Sequence, residues 1–119
     1  MDFHFTVEQQ AIQARARDFA QSEVAPLARQ ADETGQFPIH LVKRMGELGF
    51  LCGPVEPAYG GAGMDYTSFA LVYEELGRAD SSVRGFLAVH AGLGSMCIRD
   101  WGTEEQKQRY LPKLASGEW

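Results

Sequence analysis

Cysteine is scarce: two in 119 residues, Cys52 and Cys97, far apart and each among apolar neighbours. That argues against a disulfide framework or a cysteine metal site. The three histidines, His4, His40 and His90, share no ligand spacing with one another or with the cysteines, so no metal is expected. Basic residues are outnumbered, 11 against 16 acidic, for a net charge of -5, and none forms a block. Nothing here would track a phosphate backbone, so nucleic acid is not an expected partner. No apolar run approaches the roughly 18 residues needed to span a bilayer, and no basic-then-apolar leader follows Met1. The expectation is a cytoplasmic protein without a membrane span. Strand alternation, internal repeats and low-complexity stretches are also lacking, which leaves helix as the main element.

Helix signals are plentiful. Thr6 with Gln9 forms a capping box that opens a helix to about Glu23, and Pro26 suits the first turn of a second helix that ends near Gly35. Pro38 opens a third, with Leu41, Val42, Met45 and Leu48 at helical spacing before Gly49. From Phe50 to Met64 the chain reads "FLCGPVEPAYGGAGM", whose four glycines and two prolines favour a shaped loop. Asp65 caps a helix with an apolar stripe of Phe69, Val72, Tyr73 and Leu76. Ser81 or Ser82 opens the next, which Gly102 closes. Thr103 and Gln106 form a second capping box for a short helix that Pro112 ends or kinks. The predicted fold is all-α, a bundle of five to six helices occupying residues 1–119. The chain stops at "ASGEW" with neither a tail nor a capping signal, so a longer protein is expected.

The helix "SSVRGFLAVHAGLG" carries an arginine in its first turn, where a cation faces the positive end of the helix dipole. Something negative should meet Arg84. At about 100° per residue, Arg84, Gly85, Ala88, Ala91, Gly92 and Ser95 share an arc of about 120°, with Phe86, Leu87, Val89, Leu93 and Met96 outside it. Each helical glycine costs about 1 kcal/mol relative to alanine, so a close approach should compensate. Two occupants remain open for this strip: a tightly packed helix, or an extended acyl chain with Arg84 binding an anionic group at one end. Arg84 itself could instead pair with Asp80, Glu74 or Glu75.

Other candidates carry less chemistry. His90 falls with Phe86 and Cys97 on the bulky arc, as a core or interface histidine. "YGGAG" lacks the preceding strand and the following Lys-Ser/Thr of a phosphate loop and reads as a turn. Glu104, Glu105, Gln106 and Lys107 make a solvated helix start with acids near the positive dipole end. The neighbouring acids of "YEELG" point about 100° apart on a helix and cannot address one atom together. No nucleophile–base pair is present.

Three stretches together resemble the acyl-CoA dehydrogenase family: "EPAYGGAGMDYTSFALVYEELGRAD", "SSVRGFLAVHAGL" and "WGTEEQKQRYLPKLASGEW". Their order and spacing are similar to the family's N-terminal helical domain. The resemblance implies that a β-barrel domain and a C-terminal four-helix domain follow, with FAD held mainly by those two and by a neighbouring subunit. It implies α,β-desaturation of an acyl-CoA or acyl-carrier-protein thioester, a glutamate removing the α-proton while a β-hydride passes to the flavin. That glutamate belongs to the C-terminal domain, so no catalytic residue is assigned within this chain. An electron-transfer flavoprotein or similar acceptor and a homo-oligomer, usually a tetramer, are implied as partners.

By the same resemblance this domain supplies one wall of the acyl pocket. Arg84, Gly85 and Ala88 match pocket-lining positions, and Ala91 and Gly92 extend the set along the helical wheel. An arginine at position 84 resembles the glutaryl-CoA type, where it binds the substrate's distal carboxylate; straight-chain members tend to be uncharged there. The glutaryl type also tends to carry an acid seven positions earlier, which here is Gly77, and polar neighbours where this chain has Gly85 and Ala88. The stretch also resembles relatives acting on small polar acyl groups, some on carrier proteins. An anionic short acyl thioester is the expectation. Two other classes stay open: a flavin monooxygenase on the same fold, and a non-catalytic helical module binding a partner through the small-residue face.

Overall fold

A computed structural model describes residues 2–119, and among them there are helices and loops but no strand. Helix α1, Val7–Phe19, opens on the expected box, with Thr6 Oγ1 accepting from Gln9 N–H and Gln9 Oε1 from Thr6 N–H. It does not stop at Glu23. A π turn, Ala20–Val24, carries it into α2, Ala25–Thr34, so the two expected helices form one rod. Pro26 explains the turn: its ring displaces the carbonyl four residues back and it has no N–H to donate, and a widened turn accommodates both. Gly35 then ends α2 in the left-handed conformation, at φ 67°.

Helix α3, His40–Glu47, buries Leu41, Val42 and Met45. The following loop is not a surface excursion: Phe50, Leu51 and Val55 are fully buried, and Met64 N–H returns to the Gly53 carbonyl at 2.8 Å. Helix α4, Tyr66–Ala79, is capped by Asp65, which accepts from Ser68 N–H at 2.8 Å. Next come α5, Ser81–Ala88, a second π turn, Val89–Ser95, and α6, Met96–Trp101, in one rod that Gly102 closes. Its cap is Asp80, not a serine: the carboxylate accepts from Ser82 N–H at 2.7 Å. Helix α7, Glu104–Ser116, has the second capping box and runs four residues past Pro112 to a left-handed Gly117, so this proline does not end it.

Five rods in all, among the described residues, make an all-α bundle at the low end of the predicted number. They form a slab of 42 × 40 × 20 Å. Its thin dimension equals about two helix diameters, so most helices have one face on the core and one outside. Helix α1 lies along α4, and α4 along α5. Phe19, Leu41, Met45, Phe50, Val72, Leu76, Val83 and Leu87 fill the space between them. A smaller cluster of Cys52, Val55, Leu111 and Ala115 holds α7 to the loop. Truncating one of these leucines to alanine removes about 2–5 kcal/mol. No helix among the described residues is long and apolar enough to cross a membrane.

Candidate functional site

The rod that begins with α5 has two faces with opposite characters. Val83 and Leu87 point into the core at 0% exposure, while Arg84 lies on the outside and Gly85 and Ala88 are partly open. Beyond Ala88 the 100° wheel fails. In a π turn the hydrogen bonds reach one residue further, so each turn holds an extra residue and the faces rotate. Ala91 is turned into the core at 1% exposure and leaves the candidate strip, and Ser95 follows it at 0%. Val89 and Leu93, expected outside the arc, come onto the surface at 59% and 76% exposure. The open face therefore consists of Arg84, Gly85, Ala88 and Gly92, flanked by Val89 and Leu93.

Among the described residues, nothing packs on the glycines of that face. A Cβ at Gly85 or Gly92 would find nothing within 4 Å. The main surface clefts, of 190 to 570 Å³, lie elsewhere and include none of Arg84, Gly85, Ala88 or Gly92. The strip is a wall without an opposing wall.

The acids that could have met Arg84 are engaged elsewhere or turned away. Glu75, 4% exposed, accepts from Arg17 at 2.7 and 3.2 Å and from Gln13 at 3.2 Å, which ties α1 to α4. The Arg17 hydrogen bonds hold its carboxyl below the usual carboxylate range against the opposing effect of burial. Asp80 caps α5. Glu74 is exposed, so the two acids of "YEELG" do diverge. Arg84 has no ion-pair partner among the described residues, and it lies beside Gly77 of α4, where a Cβ would sit 3.5 Å from its Cγ.

The remaining candidates are structural. His90 stacks on Phe86 at 5.7 Å and its Nε2 donates to the Leu114 carbonyl at 2.9 Å, pinning α7 to the second π turn. Cys52 is buried and its thiol donates to Ser95 Oγ at 3.0 Å, whereas Cys97, expected among apolar neighbours, is exposed. Glu104 and Glu105 stand in the first turn of α7, with Tyr59 donating to Glu104 at 2.7 Å. Sequence reasoning missed the Glu56–Arg99 pair, 2.8 Å, because its partners are 43 residues apart.

The domain family described as acyl-CoA dehydrogenase, N-terminal domain, matches residues 6–118. A short-chain-specific acyl-CoA dehydrogenase of Clostridium acetobutylicum is 43% identical over 99% of this chain and 31% of its own length. Glutaryl-CoA dehydrogenase of Mycobacterium smegmatis superposes with a TM-score of 0.91 at 32% identity, covering 96% of this chain and 30% of that one. Butyryl-CoA dehydrogenase of Megasphaera elsdenii gives 0.90 at 33% identity, over 99% and 32%. The chain thus spans about a third of the length of the relatives it matches. With the helical slab, the order of the helices and all but the first few residues agreeing, this chain belongs to the acyl-CoA dehydrogenase N-terminal domain family.

Proposed function

We propose that this chain is the N-terminal helical domain of an FAD-dependent enzyme that desaturates an acyl thioester between its α and β carbons. The face of Arg84, Gly85, Ala88 and Gly92 forms one wall of the acyl pocket. The single observation behind this reading is the combination on one face of an arginine with no ion-pair partner and glycines with nothing within 4 Å. Helical glycines weaken the rod by about 1 kcal/mol each, and no close packing within the chain explains them. An extended acyl chain needs a narrow surface without protruding side chains, and its anionic end needs a cation. Ala91, buried in the core, takes no part.

The described residues do not by themselves fit a flavin. They offer no enclosed cradle beside the open face. FAD, the catalytic base and the opposite wall of the pocket belong to the rest of the protein in this reading. So do contacts with an electron-transfer flavoprotein and with further subunits. Exposed Val89, Leu93 and Trp101 are the apolar surface such domains would cover. The thioester carrier is coenzyme A or an acyl carrier protein. A short acyl group with a distal anion matches both the lone arginine and the names of the relatives, which include glutaryl and short-chain types.

The test is Arg84→Met in the complete flavoprotein, a change that removes charge and roughly keeps volume. Leaving a substrate carboxylate unpaired costs about 2–5 kcal/mol, a loss of roughly 30-fold to several thousand-fold in kcat/KM for an anionic acyl thioester. A neutral thioester of equal length loses far less. An unchanged ratio between the two substrates overturns the anion-binding role.

A further inference from the structure

Three polar side chains are buried among the described residues, and two of them hold the frame: Ser68 completes the Asp65 cap and Glu75 ties α1 to α4. The third is Ser95, at 0% exposure. Its hydroxyl donates to the His90 carbonyl at 3.0 Å and accepts from the Cys52 thiol at 3.0 Å. Burial pushes that thiol's pKa up, so it keeps the proton it donates. A helical serine ordinarily bonds a carbonyl three or four residues back, whereas Ser95 bonds the one five back, a reach that suits the wider π turn. Pro26 accounts for the first π turn, but the second contains no proline. An α-helical turn in its place would rotate Ser95 by about 100° away from Cys52, leaving a thiol without its acceptor inside the apolar cluster of Val55, Leu111 and Ala115. The His90 ring, bonded to the Leu114 carbonyl at 2.9 Å, anchors the start of the same turn to α7.

We infer that Ser95 is a positioning residue, whose bond to the His90 carbonyl holds the second π turn open and thereby sets which residues of the rod form the pocket wall. With the turn wide, Ala91 enters the core and Gly92 stays outside, flanked by Val89 and Leu93. A regular turn would bring Ala91 and Ser95 back toward the Arg84 face and carry Leu93 off it. Ser95 is enclosed by the protein and acts only through the rod. The inference rests on the pocket reading above. A wall that meets the acyl chain in the bound state and the transition state alike contributes to binding more than to chemistry. Losing its register therefore weakens binding, and does so for neutral and anionic chains together, since the turn lies beyond Arg84.

The experiment compares Ser95→Ala with Ser95→Thr in the complete flavoprotein, with glutaryl-CoA and pentanoyl-CoA as anionic and neutral probes. Ser95→Ala raises KM for both about five-fold or more, leaves kcat within about two-fold of the parent, and speeds amide hydrogen exchange across residues 89–96. Ser95→Thr keeps the hydroxyl and restores both readouts to within about two-fold. A role in stability alone predicts a lower melting temperature with KM unchanged well below it. That result, or a KM that threonine does not restore, overturns the inference. Gly85→Leu run alongside separates the two claims. Where Gly85→Leu lowers kcat/KM but Ser95→Ala leaves KM alone, only the role of Ser95 falls; where neither variant changes the kinetics, the pocket reading falls with it. Should Ser95→Ala fail to fold, Cys52→Ala read against Cys52→Ser makes the comparison from the other end of the relay. The alanine raises KM and the serine, still a donor, does not; equal KM values for the two would overturn the role of Ser95.

Discussion

Two sets of glycines in this chain do opposite things. Those at positions 46, 53 and 61 are squeezed. A Cβ at Gly46 would lie 2.6 Å from the Ser116 carbonyl oxygen, one at Gly53 2.5 Å from the Phe69 ring, and one at Gly61 would overlap the Val55 carbonyl. Glycine there lets α7 approach α3 and lets the loop fold back on itself. Those at positions 85 and 92 face open space. The first set is explained inside the chain and the second is not, and that difference, rather than the glycine content of either segment, is what the proposed pocket wall rests on.

The comparison can be broken most severely at Gly61. Gly61→Ala forces the loop off the Val55 carbonyl, a backbone clash with no flexible side chain to yield, and lowers unfolding free energy by about 3 kcal/mol or more. Chemical denaturation reads it directly; an unchanged midpoint would show that the loop gives way easily.

Smaller, and dependent on pH, is the loss at Glu75. Glu75→Gln removes the charge-assisted bonds that hold α1 on α4 and costs about 1–3 kcal/mol at neutral pH. Because Arg17 depresses the folded-state pKa of Glu75 below its ordinary value of 4.5, the parent's stabilisation is complete above that value. It is lost as pH falls through the folded-state value, and the variant lacks that dependence. Denaturation midpoints of the two proteins converge in acid. Parallel curves from pH 7 to acid would show that the pair contributes nothing.

The smallest effect has the opposite sign. Gly92→Ala places a methyl in open space on a helical backbone and raises unfolding free energy by up to about 1 kcal/mol. A loss instead would mean that something packs on the open face.

Much of the fold is written locally. The two capping boxes and the Asp65 cap are side chains bonding backbone groups within four residues, and the Gly35 stop is a glycine free to take a positive φ, so sequence alone carries them. Both π turns escaped: the local cause of the first, Pro26, reads equally well as the start of a new helix, and the second leaves no local pattern. Arg84, Gly85, Ala88 and Gly92 were legible as one face; Ala91 was misplaced because the second π turn rotates it into the core. Asp80 was overlooked as a cap beside two serines that read equally well. That Arg84 would be left without a partner depended on Arg17 claiming Glu75 across 58 residues, which no spacing rule reveals.

The central claim is that the open face is kept clear for a ligand, and Gly85→Leu in the complete flavoprotein tests it most directly, with melting temperature and kcat/KM read on the same sample. A Cβ there meets nothing within 4 Å and leucine suits a helix better than glycine, so melting temperature holds or rises, while kcat/KM for a short acyl thioester falls about ten-fold or more because the side chain occupies the acyl path. Unchanged kcat/KM with unchanged stability would contradict the claim, showing that no substrate touches this face; a sharp fall in melting temperature would contradict it from the other side, assigning the face to packing.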